Sequence, residues 1–108
     1  MRKRIYLAGA YSADNVLQVL HNIRLGISVA SKFTKQGLAV FCPFLDYQYS
    51  FFHDLTIQDY YEYSLAFLAV CDEIWVLPHY EKSKGTLQEL QFAKERNIPI
   101  KFLTEEDL

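Results

Sequence analysis

The chain has 108 residues, a formal net charge of -2 and an apolar fraction of 51%. That length fits one domain with a modest buried fraction, so assembly into a homodimer or higher homo-oligomer is expected. No basic stripe follows the opening Arg2-Lys3-Arg4, which excludes sequence-wide binding to a phosphate backbone and leaves nucleic acid out as a partner. No apolar run has the length of a membrane span, and the N-terminus alternates like a strand instead of forming a signal-peptide core, so the expectation is a cytoplasmic protein with no membrane partner. Cys42 and Cys71 stand alone in apolar surroundings and read as buried free thiols. Neither clusters with His21, His53 or His79, so no metal and no cofactor are expected.

The first strand is Ile5 to Ala8, closed by Gly9, and the polar loop Tyr11 to Asn15 introduces a long helix that Ser12 or Asp14 can cap. Val16, Leu20, Ile23, Ile27, Ala30 and Phe33 trace its apolar face, and Gly37 supplies the stop. Gly26 lies inside this helix at a cost of about 1 kcal/mol relative to Ala, which points to close packing or to flexibility. The second strand, Ala39 to Cys42, ends at Pro43, and the connection that follows is long enough to suggest a functional loop. Thr56-Ile57-Gln58-Asp59 starts the second helix with cap-like spacing. Its apolar face holds Ile57, Tyr60, Tyr61, Leu65, Leu68 and Ala69, with Ser64 as a small polar group among them. A third strand covers Glu73 to Leu77, a third helix runs to about Arg96, and a fourth strand covers Ile98 to Phe102. Thr104 to Leu108 can form one last turn.

Strands joined by helical crossovers give a parallel sheet. The expected fold class is α/β, a small flavodoxin- or Rossmann-like three-layer sandwich with a four-stranded sheet in the order 2-1-3-4, formed by a single domain over residues 1–108. In such folds ligands bind at the C-terminal strand ends. Three segments meet there: Tyr6 to Ser12, Phe44 to Tyr49, and Ser83 to Glu89. Gly9 has no GxGxxG continuation and no GxxxxGK[ST] occurs, which argues against dinucleotide binding and P-loop phosphoryl transfer.

Ser83-Lys84-Gly85-Thr86-Leu87-Gln88-Glu89 carries two readings. Gly85 permits a tight turn, Leu87, Leu90 and Ala93 recur at helical spacing, and a first-turn Glu89 near the positive helix end is suited to act as a nucleophile or charge stabiliser. Thr86-x-x-Glu89 equally fits a capping box, in which Glu89 bonds the Thr86 amide and does nothing else. The aromatic residues Phe44, Tyr47, Tyr49, Phe51, Phe52, Tyr60, Tyr61 and Tyr63 read mainly as core or interface, with Tyr11 and the loop rings as better ligand candidates.

Ile5-Tyr6-Leu7-Ala8-Gly9-Ala10-Tyr11, Phe44-Leu45-Asp46-Tyr47-Gln48-Tyr49 and Ser83-Lys84-Gly85-Thr86-Leu87-Gln88-Glu89-Leu90, in this order and at this spacing, resemble the nucleoside 2-deoxyribosyltransferase family and its relatives that hydrolyse deoxynucleoside monophosphates. The resemblance implies Glu89 as the nucleophile on the anomeric carbon, Tyr6 as the residue that positions it, and Asp46 and Gln48 near the base. It places Gly9, Ala10, Tyr11, Ser12, Ser64, Ser83 and Gly85 around the substrate, a small-molecule nucleoside or nucleotide. Ser64 stands where the transferases carry an aspartate that contacts the sugar or assists departure of the base. Ser83 also replaces a transferase aspartate and matches the monophosphate hydrolases, in which a serine helps to hold the 5′-phosphate. Ser12 replaces the hydrolases' phosphate-binding arginine, so the cation would come from Lys82, Lys84 or a neighbouring subunit.

The expected function is cleavage or transfer at the N-glycosidic bond of a deoxyribonucleoside or its 5′-monophosphate through a glutamate nucleophile. Asp46 and Asp59 are the candidates for acid or orienting work, with a capping role also open to Asp59. The alternatives are a non-catalytic nucleotide-binding or sensing module that uses the same crevice, and a small interaction domain assembled through its aromatics.

Overall fold

The computed structural model describes residues 1–108. In chain order the elements are β1 (Arg4–Ala8), α1 (Val16–Lys35), β2 (Ala39–Phe41), a 3-10 helix (Pro43–Phe51), α2 (Ile57–Leu68), β3 (Glu73–Val76), α3 (Lys84–Glu95), β4 (Ile100–Phe102) and a 3-10 turn (Glu105–Asp107). The strands pair in parallel in the order β2-β1-β3-β4. This is the expected Rossmann-like α/β arrangement.

Side-chain alternation along β1 assigns the layers. Leu7 packs with Val29, Ala30 and Phe33 of α1, whereas Tyr6 and Ala8 face the opposite layer with Leu68 of α2 and Leu90 and Ala93 of α3. One face of the sheet is therefore covered by α1 and the other by α2 and α3. Tyr6 pairs with Phe41 of β2 and Ile74 of β3 in register, so its phenol stands at the middle of the sheet and points toward α2 and α3.

The ends of the elements differ from expectation for local reasons. Asn15, and not Ser12 or Asp14, caps α1 by accepting from the Gln18 amide at 2.8 Å. Val16 and Leu20, expected on the apolar face, are exposed. At 20 residues α1 is far longer than the three- to five-residue strands beneath it, so its first turns overhang the sheet. Ile57 and Ala69 are likewise exposed at the two ends of α2, and Cys71 is half-buried, unlike the buried Cys42. Gly37 closes α1 at φ 103°, a left-handed turn that glycine takes without strain. Gly85 plays no such role. It lies in the first turn of α3 without a positive φ, and a Cβ there would come only within 3.5 Å of the Tyr61 ring.

Candidate functional site

Helix α3 starts one turn earlier than a Thr86 cap requires. Ser83 is the N-cap, its hydroxyl accepting from the Thr86 amide at 3.3 Å and donating to Thr86 Oγ1 at 3.0 Å. Glu89 consequently falls in the second turn, where helix amides are already paired, and the capping-box role is ruled out. With this start Thr86, Glu89, Leu90 and Ala93 share the inward face, while Leu87 rotates out to solvent. The Tyr6 hydroxyl donates to Glu89 Oε2. A carboxylate and a phenol from two different layers thus meet at the sheet.

Tyr6 is fully buried, and Glu89 is half-buried. No buried side-chain oxygen or nitrogen lacks a partner, so the Glu89 oxygen that does not meet Tyr6 opens toward solvent. Desolvation raises the Glu89 carboxyl to about 7; the Tyr6 hydrogen bond pulls it down and the charge of Asp46 adds to the rise. The Tyr6 phenol is held well above its ordinary value by burial and then by the Glu89 charge and hydrogen bond, with the nearby Ser64 hydroxyl acting in the lowering direction. Ser64 is 8% exposed and so stands beside Tyr6 as the small polar group expected of it.

Asp46, on the 43–51 helix, is also 8% exposed, and burial raises its carboxyl to about 6. Its charge reaches Tyr6, Glu89, Tyr11, Cys42 and Tyr63, which makes it the electrostatic centre of the crevice. Tyr11 stacks on Phe44 with centroids 6.3 Å apart, and burial followed by the neighbouring Tyr60, Asp46 and Tyr47 raises its phenol. Gly9 belongs to the floor: a Cβ would lie 2.9 Å from Leu77 Cδ1, and Leu77 donates its amide to Ala8 at 2.8 Å. Glycine there lets the ends of β1 and β3 close up beneath the site.

A pocket of about 380 Å³ adjoins this crevice, lined by Asp46, Gln48, Tyr49, Tyr63, Leu45 and the end of β2. Phe41 forms part of its wall and stacks on Tyr6 at 5.4 Å, so the pocket is one ring removed from the Tyr6–Glu89 pair. Tyr49 and Tyr63 hydrogen-bond hydroxyl to hydroxyl at 3.1 Å across it. The sequence reads Tyr63 and Tyr60 as core or interface residues. Their spacing with Ser64 and Phe67 is the signal that they share one helix face over the site.

Other candidates stand apart. Ser12 is exposed, Ala10 is half-buried next to Gly9, and Gln48 is exposed at the pocket. Ser83 and Gly85 lie at the start of α3, more than a turn before Glu89, with the Ser83 hydroxyl engaged in the cap. Asp59 completes the α2 capping box with Thr56, which gives it a structural task. Cys42 is buried, which favours its neutral thiol, and its Sγ donates to the Gly26 carbonyl. No three His, Cys, Asp or Glu side chains converge in a way that could hold a metal ion. No helix is long and apolar enough to cross a membrane.

A family model described as a domain of unknown function, DUF4406, matches residues 3–102. Comparison with curated proteins finds no match. A solved structure of a 2-deoxyribosyltransferase from the psychrotolerant bacterium Bacillus psychrosaccharolyticus, a biocatalyst for nucleoside synthesis, superposes with a TM-score of 0.61. The alignment covers 92% of this chain and 70% of that one at 17% identity, a likeness of fold.

Proposed function

We propose that this chain, which belongs to the DUF4406 family, cleaves or transfers at the N-glycosidic bond of a deoxyribonucleoside or its 5′-monophosphate. The observation that carries the reading is the Tyr6–Glu89 hydrogen bond between the central strand of a parallel sheet and α3, with Glu89 free of the helix cap. The shared fold with a 2-deoxyribosyltransferase supports the same chemistry.

In this mechanism a Glu89 carboxylate oxygen forms a bond to the anomeric carbon as the carbon–nitrogen bond breaks. The bonding pair leaves on the base nitrogen, which takes a proton from the Asp46 carboxyl. Water or the N–H of a second base then gives its proton to the Asp46 carboxylate as its oxygen or nitrogen attacks the same carbon, and the bond to Glu89 breaks with its electron pair returning to the carboxylate. Tyr6 holds the carboxylate in line and, by donating to it, limits how far burial raises it. Tyr11 and the neighbouring rings supply flat apolar surface for the base, with Gln48 at the rim. Ser83 and the first α3 amides suit the 5′-phosphate of a nucleotide substrate, with Lys82 or Lys84 as the cation, and this soluble enzyme would need no cofactor.

Incubation with each deoxynucleoside and each 5′-monophosphate, followed by chromatography, tests the reading. Release of free base by the wild type and its loss in Glu89→Gln are expected. No release across the panel, or equal release by the variant, refutes it. A nucleotide-sensing module is the second reading, favoured by the Ser64 hydroxyl beside Tyr6 where the transferases place an aspartate. Ligand-dependent thermal stabilisation with no base release would identify it.

A further inference from the structure

Gly26 sits in the middle of α1, where glycine weakens a helix by about 1 kcal/mol relative to alanine. No positive φ calls for it. Space does. A Cβ at this position would lie 2.3 Å from both Cγ and Cδ2 of Phe44 and 2.7 Å from Cε2. Cγ is the root of the ring and not its movable end, so a methyl group can be admitted only if Phe44 leaves. Phe44 is 2% exposed, and Tyr11 stacks on its ring. The Cys42 thiol donates to the Gly26 carbonyl at 3.8 Å. One residue of α1 therefore holds both neighbours of Pro43, at the entry of the helix that carries Asp46.

We propose that Gly26 is a positioning residue for the candidate site: the socket it leaves for Phe44 fixes where Asp46 and Tyr11 stand over the Tyr6–Glu89 pair. Its catalytic consequence rests on the function proposed above, whereas the displacement itself is readable without turnover. An alanine at this position improves the helix locally and yet drives Phe44 outward. Because the 43–51 helix starts at this plug, Asp46 moves with it and Tyr11 loses its stacking surface. The groups facing Asp46 are Tyr6 from β1, Tyr11 from the loop before α1, Cys42 after β2, Tyr63 from α2 and Glu89 from α3.

The test follows the Asp46 carboxyl by carbon NMR in wild type and Gly26→Ala, with Asp72, whose carboxyl the Arg4 hydrogen bonds hold down, as the internal control. In the variant Asp46 is expected to titrate closer to the ordinary aspartate range as water reaches it, the Tyr11 ring signals to shift, and Asp72 to stay in place. If the protein turns over substrate, kcat should fall by about 100-fold with a smaller change in KM, and the pH profile should follow the Asp46 titration. Phe44→Leu removes the plug from the other side and should produce the same displacement. Combining the two substitutions should move the titration back toward wild type, because the smaller side chain and the added methyl share the socket. An unchanged Asp46 titration in both single variants, even with a lower Tm, overturns the inference. Displacement in both variants with a wild type that releases no base supports it and counts against the proposed function alone.

Discussion

Glu89→Gln should make the fold more stable, and only where the wild-type carboxylate is charged. Burial raises this carboxyl from its ordinary 4.5 to about 7. The folded state therefore binds a proton that the unfolded chain has already released between those values, so stability is full below 4.5 and is lost as pH rises through 7. At about 1.4 kcal/mol per pH unit of displacement, holding the charged form at pH 8 costs about 3 kcal/mol. Glutamine keeps the shape, and its amide oxygen still accepts from Tyr6, but it carries no charge to desolvate. For a domain of this size the gain corresponds to a rise in Tm of about 10 °C at pH 8. Thermal melts of both proteins across pH 4.5 to 8.5 provide the assay, with the difference shrinking toward zero at the acid end. Equal melting temperatures at pH 8, or a less stable variant, would refute the reasoning, because they would mean that water already solvates Glu89.

Four further outcomes follow from the same geometry. Base release should show a bell-shaped dependence on pH centred between the Asp46 value of about 6 and the Glu89 value of about 7. Asp46→Asn removes the charge that raises Glu89, so titration of Glu89 by NMR should move down. Tyr6→Phe takes away the donor that lowers the Glu89 carboxyl; since Asp46 must be protonated while Glu89 is charged, the fall of activity at high pH should move upward and activity at pH 6 should drop about tenfold, checked by a pH-rate series. Ser83→Ala should lower stability by about 1 kcal/mol in urea melts while leaving the Tyr6–Glu89 pair intact, since Ser83 is the α3 cap.

The layers were legible because β-branched and aromatic runs alternate with helical spacing, and a parallel sheet leaves few orders for such a chain. The meeting of Tyr6 and Glu89 was partly legible too, since strand alternation sends Tyr6 to the face opposite Leu7. The start of α3 was not. Ser83-x-x-Thr86 and Thr86-x-x-Glu89 both satisfy cap spacing, and only packing of Thr86, Leu90 and Ala93 against the sheet selects the first. That choice turned Glu89 from a cap into a group of the crevice. The first turns of α1 misled for a different reason: periodicity marks Val16 and Leu20 as inward, but no strand extends beneath them. Gly26 could be read as a site of close packing, while its partner Phe44 lies across a tertiary contact that spacing along the chain does not encode.

Intact-protein mass spectrometry after rapid quenching, with peptide mapping, tests the central claim most directly. Wild-type protein mixed with a deoxynucleoside or its 5′-monophosphate should gain the mass of the deoxyribosyl group, with or without phosphate, on the peptide that contains Glu89. Glu89→Gln should gain none. Base release by the wild type without any adduct, accompanied by undiminished release in Glu89→Gln, would contradict the account.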